Sequence, residues 1–586
     1  MKHLYLTVLL VATGIQAQTL NWATNFGDVG NDICTDAVVD ASGNVYAVGI
    51  FKNSVDFNPG SGVFYINELS NEIGDIYCVK LNSNGQLVWA KPIGGSSGYS
   101  TMEEITPIIT LDAAGNIYIS GIYDTNIDMD PGAGTLFLPP IAENSITGNF
   151  LCKLSNSGNL LWCKRYGNGS SFAYNRRLKA DANGNVYLAG YFSDSILFET
   201  SGGGWNTLTT DYSKYNGFLA KFNSDGNNVW AFQLGTNTKN DYIRDMDIDN
   251  SGNIVITGSY SAEVNFNPLE DSELILNSVM NGEDIFIAKY DANTTECLWA
   301  KGIGREGVAA SESGFTIAFG NDGGVISTGF FRTGADFNPA PGEENIYNMD
   351  AIGNSSLYLL KLSDDGEFVW AKTIGAMTEE GMEYSEKTYG MDIDAEDNIY
   401  LTGQYLVQMD ADPDSGVFYL NSNGGSNQVF YMKLNSDCEF EWAQSIGPDT
   451  NKNATGRVIR AAPNGKVIIG GRFQGPVDFN PEGTPFIIDQ SSPDYDSFLM
   501  SINTGETLGI EDSNFDKIAV YPNPFTDIIN ISSQADILNL ELYDITGKLI
   551  LTQKSKTLIS SGLKQGEYLL KAYTASGWQI FKIIKY

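Results

Sequence analysis

A tryptophan recurs along most of this chain at nearly constant spacing. Trp22, Trp89, Trp162, Trp230, Trp299, Trp370 and Trp442 lie 67 to 73 residues apart. A period of that length means an array of like supersecondary units, each unable to bury its apolar face alone. Most of these tryptophans are followed by Ala and then by Gly about five positions on, as in Trp22-Ala23…Gly27, Trp89-Ala90…Gly94 and Trp370-Ala371…Gly375.

Three further marks recur at fixed phase. The first is Asp-x-x-Gly-Asn-hydrophobic-Tyr and then Gly, seen at 40–46 with Gly49, 112–118 with Gly121, and 181–187 with Gly190. At 249–255 the turn persists without the Tyr, and the copies at Gly323-Gly324, Asp397-Asn398 and Asn464-Gly465 are looser. This pattern encodes a tight hairpin: Asp or Asn accepts backbone bonds, Gly supplies positive φ, and β-formers open the next strand. The second mark is Asp-Phe-Asn-Pro at 56–59, 336–339 and 478–481, with variants at 128–131, 265–268 and 410–413; the third unit departs, carrying Phe198-Glu199-Thr200. The last mark is a strand, an Asn/Ser-x-x-Gly turn and the next Trp, as from Tyr77 through Gly85 to Trp89.

Each unit therefore supplies four antiparallel strands, and the fold class expected is all-β: a seven-bladed β-propeller of four-stranded blades. The phase of the repeat predicts how it closes. The last unit has a third strand at 496–503 but no Trp strand after it, and the Trp22 strand has no third strand before it. Pairing the two removes two exposed sheet edges.

Composition limits the chemistry. The only histidine of the 586 residues is His3, which excludes Ser-His-Asp and Cys-His nucleophile systems as usually built and His-ligated zinc or iron. There is no CxxC, phosphate loop, dinucleotide fingerprint or nucleophile elbow. The formal net charge is −36, against the clustered Lys and Arg that nucleic acid needs. Lys2 and His3 followed by the apolar run 4–11 and the small-residue site at Ile15-Gln16-Ala17 predict a signal peptide, 1–17, cleaved between Ala17 and Gln18. That run is too short for a transmembrane anchor. Export permits disulfides, and Cys152 and Cys163 flank a predicted hairpin turn. Cys34 with Cys78 is a weaker pairing, and buried free thiols are the alternative for all six cysteines.

Candidate ligand residues are few, and no cofactor is expected beyond calcium. Asp128 with Asp130, and Asp410, Asp412 and Asp414, space carboxylates at alternate positions as calcium loops do. The second loop has Asn421 where an EF-hand has its distal Glu. A motif present in nearly every unit serves equally as an Asx-Pro turn. Trp205 stands inside the most divergent inter-strand loop and is a candidate sugar or protein contact. Adjacent acidic pairs such as Glu103-Glu104 point apart in a loop and make poor glycosidase pairs. No catalytic residue is assigned.

The Trp-Ala…Gly and Gly-Asn-hydrophobic-Tyr…Gly units of the propeller, 18–505, resemble, over roughly 20–505, the bacterial β-propeller repeat family called SBBP. That resemblance implies the fold and carries no activity. Residues 506–516 read as a polar linker, and 517–586 as a small all-β domain, an immunoglobulin-like β-sandwich. Tyr521-Pro522-Asn523-Pro524 opens it, Gly547-Lys548 closes an Asp-x-x-Gly-Lys hairpin, and Gly566 and Tyr568 mark a Gly-x-Tyr strand. These features are similar to the C-terminal sorting domain of type IX secretion substrates. The resemblance implies a Bacteroidota-type cell, the type IX machinery as partner, and a fate in the medium or on the outer surface. The function expected is a monomeric binding or adhesion protein for an extracellular glycan or protein. Alternatives are an extracellular polysaccharide hydrolase or lyase, sited around 202–215 and 376–388, and a structural matrix component.

Overall fold

The computed structural model describes residues 18–504 and 519–586, apart from 70–73, 96–106, 125–127, 141–146, 168–172, 237, 305–311, 332–334, 339–345, 348–355, 376–385, 423–425, 449–450, 490–492, 522–524, 527, 534–536, 545–547, 555, 560–561 and 575–576. Two compact units result, Met1–Glu506 and Thr507–Tyr586. Both are β-structure, and among the described residues the only helical element is a 3₁₀ turn at Val279–Asn281.

In the larger unit the chain makes antiparallel sheets whose four main strands follow in order, as in Ile33–Val39, Val45–Phe51, Asp75–Leu81 and Leu87–Gly95. The first strands of the sheets are Ile33–Val39, Ile108–Leu111, Ala173–Ala180, Tyr242–Ile248, Ser313–Phe319, Lys387–Ile393 and Ala454–Ala462. Each touches the next, and the last touches the first. Arg460 crosses that junction, donating from Nε to the Ala37 carbonyl at 2.8 Å and from Nη2 to Asp36 Oδ1 at 2.7 Å. The sheet of Ala454–Ala462 takes its fourth strand from the start of the chain: Thr19–Phe26 pairs with Asp496–Asn503, Asn25 opposite Phe498. This is the pairing that the phase of the repeat requires.

Turn chemistry explains the recurring residues. Asp40 Oδ1 accepts from Ser42 N and Asn44 N, both at 2.9 Å, while Oδ2 accepts from Asn44 Nδ2 at 2.8 Å and Tyr46 OH at 3.2 Å. Asp112 and Asp181 repeat this set, and so does Asp394. Of the looser copies, two keep a left-handed glycine, Gly323 at φ 81° and Gly465 at φ 64°, and in the third Asp397 takes that position at φ 64°, which Asn and Asp tolerate better than other side chains.

The Asp-Phe-Asn-Pro segments form short hairpins such as Ser54–Asp56 with Tyr65–Asn67. The leading Asp staples each one. Asp56 Oδ1 accepts from Asn58 N at 3.0 Å and Phe64 N at 2.7 Å, and Asp478 does the same with Asn480 N and Phe486 N. The next side chain, Phe57, Phe266, Phe337 or Phe479, is buried.

The seven tryptophans sit on outer strands and reach the neighbouring sheet. Nε1 of Trp22, Trp89, Trp162 and Trp299 donates to the carbonyls of Ser83, Asn156, Ser224 and Asp364 at 2.9–3.3 Å. Each acceptor lies in the next unit's turn, whose glycine, Gly85, Gly158, Gly226 or Gly366, leaves room for the indole.

The smaller unit has a three-stranded sheet of Ala519–Tyr521, Ile528–Ser532 and Thr557–Ile559. A four-stranded sheet runs Leu549–Gln553, Asn539–Asp544, Gly566–Thr574, Gly577–Lys585. Phe525, Ile529, Leu540, Leu542, Tyr568 and Ile583 share one core.

Candidate functional site

The first strands of all seven sheets line one cavity of about 600 Å³, within the range that ligand sites occupy. Its residues are placed there by a repeated irregularity. The register between first and second strands slips by one residue between Cys34 and Asp36, Asn175 and Arg177, Ile243 and Asp245, Gly314 and Thr316, Thr388 and Gly390, and Gly456 and Val458. The residues left over are Thr35, Arg176, Arg244, Phe315, Tyr389 and Arg457, and all six line the cavity. A bulge turns one side chain out of the sheet's alternation; here it aims it at the centre.

The bulge also accounts for the glycine on each second strand. A Cβ on Gly49, Gly190, Gly258, Gly329, Gly403 or Gly471 would collide with the backbone carbonyl of Ile33, Tyr174, Tyr242, Ser313, Lys387 or Thr455, just ahead of the bulge. In the second sheet, where the first strand Ile108–Leu111 pairs without a slip, Gly121 meets only side chains, the nearest being Ile76 at 2.9 Å.

One side of the cavity is a tyrosine–arginine cluster. Tyr174 and Tyr191 stack at 4.8 Å between centroids, and Tyr191 meets Tyr242 edge-on at 4.9 Å. The Arg176 and Arg244 guanidinium groups both lie over the Tyr191 ring, at 5.1 and 5.4 Å, and Arg244 lies 4.6 Å over Tyr242. Arg176 Nη2 donates to Tyr191 OH at 2.6 Å. Across the cavity Arg457 covers Tyr389 at 4.7 Å. Burial, and then the nearby Arg176, hold the Arg244 pKa below the usual guanidinium range. Burial raises the Tyr242 phenol to about 12. Arg177 is different: it is held by Asp245, with Nη2 donating to Oδ2 at 2.9 Å.

The candidates read from sequence lie elsewhere. Asp128 Oδ1 accepts from Asp130 N and Leu136 N, and Asp130 Oδ1 from Gly132 N. Asp410 Oδ1 accepts from Asp412 N and Phe418 N, Asp412 Oδ1 from Asp414 N, and Asp414 pairs with Lys372. These oxygens are turn acceptors, and among the described residues no group of three or more His, Cys, Asp or Glu is placed to hold a metal ion. Trp205 opens a strand, Trp205–Thr209, rather than standing in a loop; it pairs with Glu199 and carries the Arg165 guanidinium 5.4 Å over its ring. The hairpin forms because Phe198 anchors its other strand in the core while that strand pairs with Leu160–Gly167.

Cys152 and Cys163 face each other in register and are joined by a disulfide. Cys34 and Cys78 are buried free thiols; the strand Val45–Phe51 lies between theirs, so they cannot pair. In the smaller unit Tyr521 ends a strand, Lys548 N donates to Asp544 Oδ1 at 3.0 Å, Gly566 opens a strand and buried Tyr568 donates to the Lys564 carbonyl at 2.7 Å. Ala17, Pro522, Asn523, Pro524 and Gly547 lie outside the described residues, while Gln18 is the first described residue.

The cavity was the feature that sequence reading missed. Among the described residues of the irregular stretches at 202–215 and 376–388, Tyr215, Lys387 and Thr388 line it. A signal for the rest existed: the bulge residue stands five positions before the first residue of each hairpin turn, and in three units it is arginine, at 176, 244 and 457.

Residues 519–586 match the secretion system C-terminal sorting domain. The protein is therefore a substrate of the type IX machinery, exported to the cell surface or the medium. Over 570 residues the chain is 26% identical to an uncharacterized WD repeat-containing protein, L264, of Acanthamoeba polyphaga mimivirus, covering 84% of this chain and 39% of that protein. Among solved structures it is similar to a protein of unknown function from Bacteroides caccae, with 10% identity, coverage of 71% and 94%, and a TM-score of 0.28. It is also similar to a polysaccharide lyase, a PL25 ulvan lyase, with 10% identity, coverage of 82% and 97%, and a TM-score of 0.35. A Dyadobacter fermentans protein of unknown function scores 0.32 at 11% identity, with coverage of 82% and 99%. Among the described residues no helix is long and apolar enough to cross a membrane.

Proposed function

We propose that this chain is an exported binding protein of a Bacteroidota-type cell whose central cavity holds an extracellular ligand. In this reading residues 1–17 are a signal peptide, 18–505 a seven-bladed β-propeller of SBBP type, 506–516 a linker, and 517–586 an immunoglobulin-like sorting domain. The blade count is supported by the seven first strands that touch in series and return to the start.

The observation that carries the binding role is the convergence of six bulge residues, of four types (Thr, Arg, Phe and Tyr), on one cavity. A spacer has no use for that divergence, because side chains that only pack one unit on the next can stay alike. Hydrolysis of glycosides needs two carboxylates about the bond, and the described lining offers one, Glu283. Binding is thus better supported than glycoside hydrolysis.

The test is a screen of the mature chain against extracellular polymers, beside Phe315→Ala/Tyr389→Ala. Saturable binding by the parent, lost in the variant with its melting temperature kept, is expected. Binding that survives the substitutions would put the ligand on the outer loops and defeat the cavity reading.

A further inference from the structure

The charge of the cavity is opposite to that of the protein. The chain has 71 acidic and 35 basic residues, yet among the described residues the cavity lining has five basic side chains and one acidic, Glu283. Two of the cations, Arg176 and Arg244, lie at one ring, Tyr191, with their guanidinium groups 5.1 and 5.4 Å from its centroid. Like charges brought that close in a partly desolvated site cost stability. The Nε atoms of both arginines, with Ser259 Oγ and Thr388 Oγ1, are buried and have no hydrogen-bond partner among the described residues. Buried donors are normally paired, so these four groups in the cavity lining await a partner from outside the fold.

Their chemistry describes that partner. A guanidinium edge fits a carboxylate or a sulfate, giving two parallel charge-assisted bonds. The hydroxyls of Ser259 and Thr388 both donate and accept, matching the hydroxyls that a sugar carries and an acidic peptide side chain lacks. Tyrosine rings with one apolar face and one polar end suit a ligand that is itself part apolar and part polar.

Resting on the cavity reading above, we infer that the ligand is an acidic saccharide, with its anionic group held between Arg176 and Arg244. The probes are a galacturonate trimer, a sulfated galactan oligomer, the neutral galactose trimer and a tri-glutamate peptide, titrated by calorimetry into the mature chain. One or both acidic sugars should bind, and added salt should weaken them. Arg176→Gln/Arg244→Gln should weaken that binding about a hundredfold with no fall in melting temperature, and Arg244→Lys should restore part of it. Uronate and sulfate arms identify which anion is preferred.

Equal binding of the neutral trimer, unmoved by the arginine changes but lost in Phe315→Ala/Tyr389→Ala, would overturn the acidic-sugar inference and leave the cavity reading intact. Tri-glutamate binding as tightly would overturn the sugar. Failure of all four probes, with some other polymer bound at the cavity, would also overturn the inference.

Discussion

The outer turns and the central bulges belong to the same sheets, yet they follow opposite rules. On the outside, Trp22, Trp89, Trp162 and Trp299 make one contact four times, each indole giving its N–H to the same carbonyl of the neighbouring turn. At the centre, the equivalent residue is Thr35, Arg176, Arg244, Phe315, Tyr389 or Arg457. The outer side chain is fixed by what it packs on, which is another copy of the unit. The central side chain faces a void, so nothing in the neighbouring unit dictates its type. Repetition marks what holds the array together; departure from it marks what the array is free to use.

The outer rule also breaks where its partner changes. Trp230 and Trp442 have no partner for Nε1 among the described residues. For Trp230 the facing turn is longer, spanning Asp291 to Glu296 without a glycine. For Trp442 the facing position holds no turn at all, because the neighbouring sheet is completed there by the two ends of the array, Asn503 and Thr19.

The largest effect should come from disturbing a bulge. Gly258→Ala drives a Cβ into the Tyr242 carbonyl, whereas Gly121→Ala meets movable side chains. Expected losses of stability are about 3 and about 1 kcal/mol, read by denaturant unfolding; equal losses would separate the glycine from the bulge.

Next is Glu386, which precedes the first strand Lys387–Ile393 and is 2% exposed. Neither carboxylate oxygen has a partner among the described residues. Burial lifts its pKa from 4.5 to about 7. The folded chain therefore keeps this proton where an unfolded chain has lost it, and native stability declines as pH rises from about 4.5 to about 7. Glu386→Gln should stabilise the protein by about 3 kcal/mol at pH 8 and leave it unchanged at pH 4. A constant difference across that range would show that the carboxyl does not titrate there.

The smallest effect tests the outer rule. Trp299→Phe removes the bond to the Asp364 carbonyl and should cost about 1 kcal/mol more than Trp230→Phe, whose indole has no such bond among the described residues. Equal costs would mean that the indole acts by packing alone.

The chain's periodicity made much of the fold legible. Tryptophan spacing set the units, Asp and Asn placed the turns, and the phase of the repeat called for pairing of Thr19–Phe26 with Asp496–Asn503. The tail could be read from Gly547-Lys548 and Gly566-x-Tyr568 because short turn signals are local. The bulges were half visible. Their glycines stood in the repeat, but a glycine before a turn records only that a Cβ is unwelcome, not which carbonyl excludes it. Trp205 misled because loop divergence hid a strand whose pairing depends on Leu160–Gly167, far back in the chain.

By itself, then, the sequence determined what neighbouring residues and like units decide between them: strand order, turns, closure and export. Only the tertiary structure decided the site. Arg176 and Arg244 stand 68 residues apart in sequence and meet over Tyr191 because a one-residue slip in each of two sheets points them to the same centre. A slip of register has no residue type of its own; it exists only between strands that have already paired.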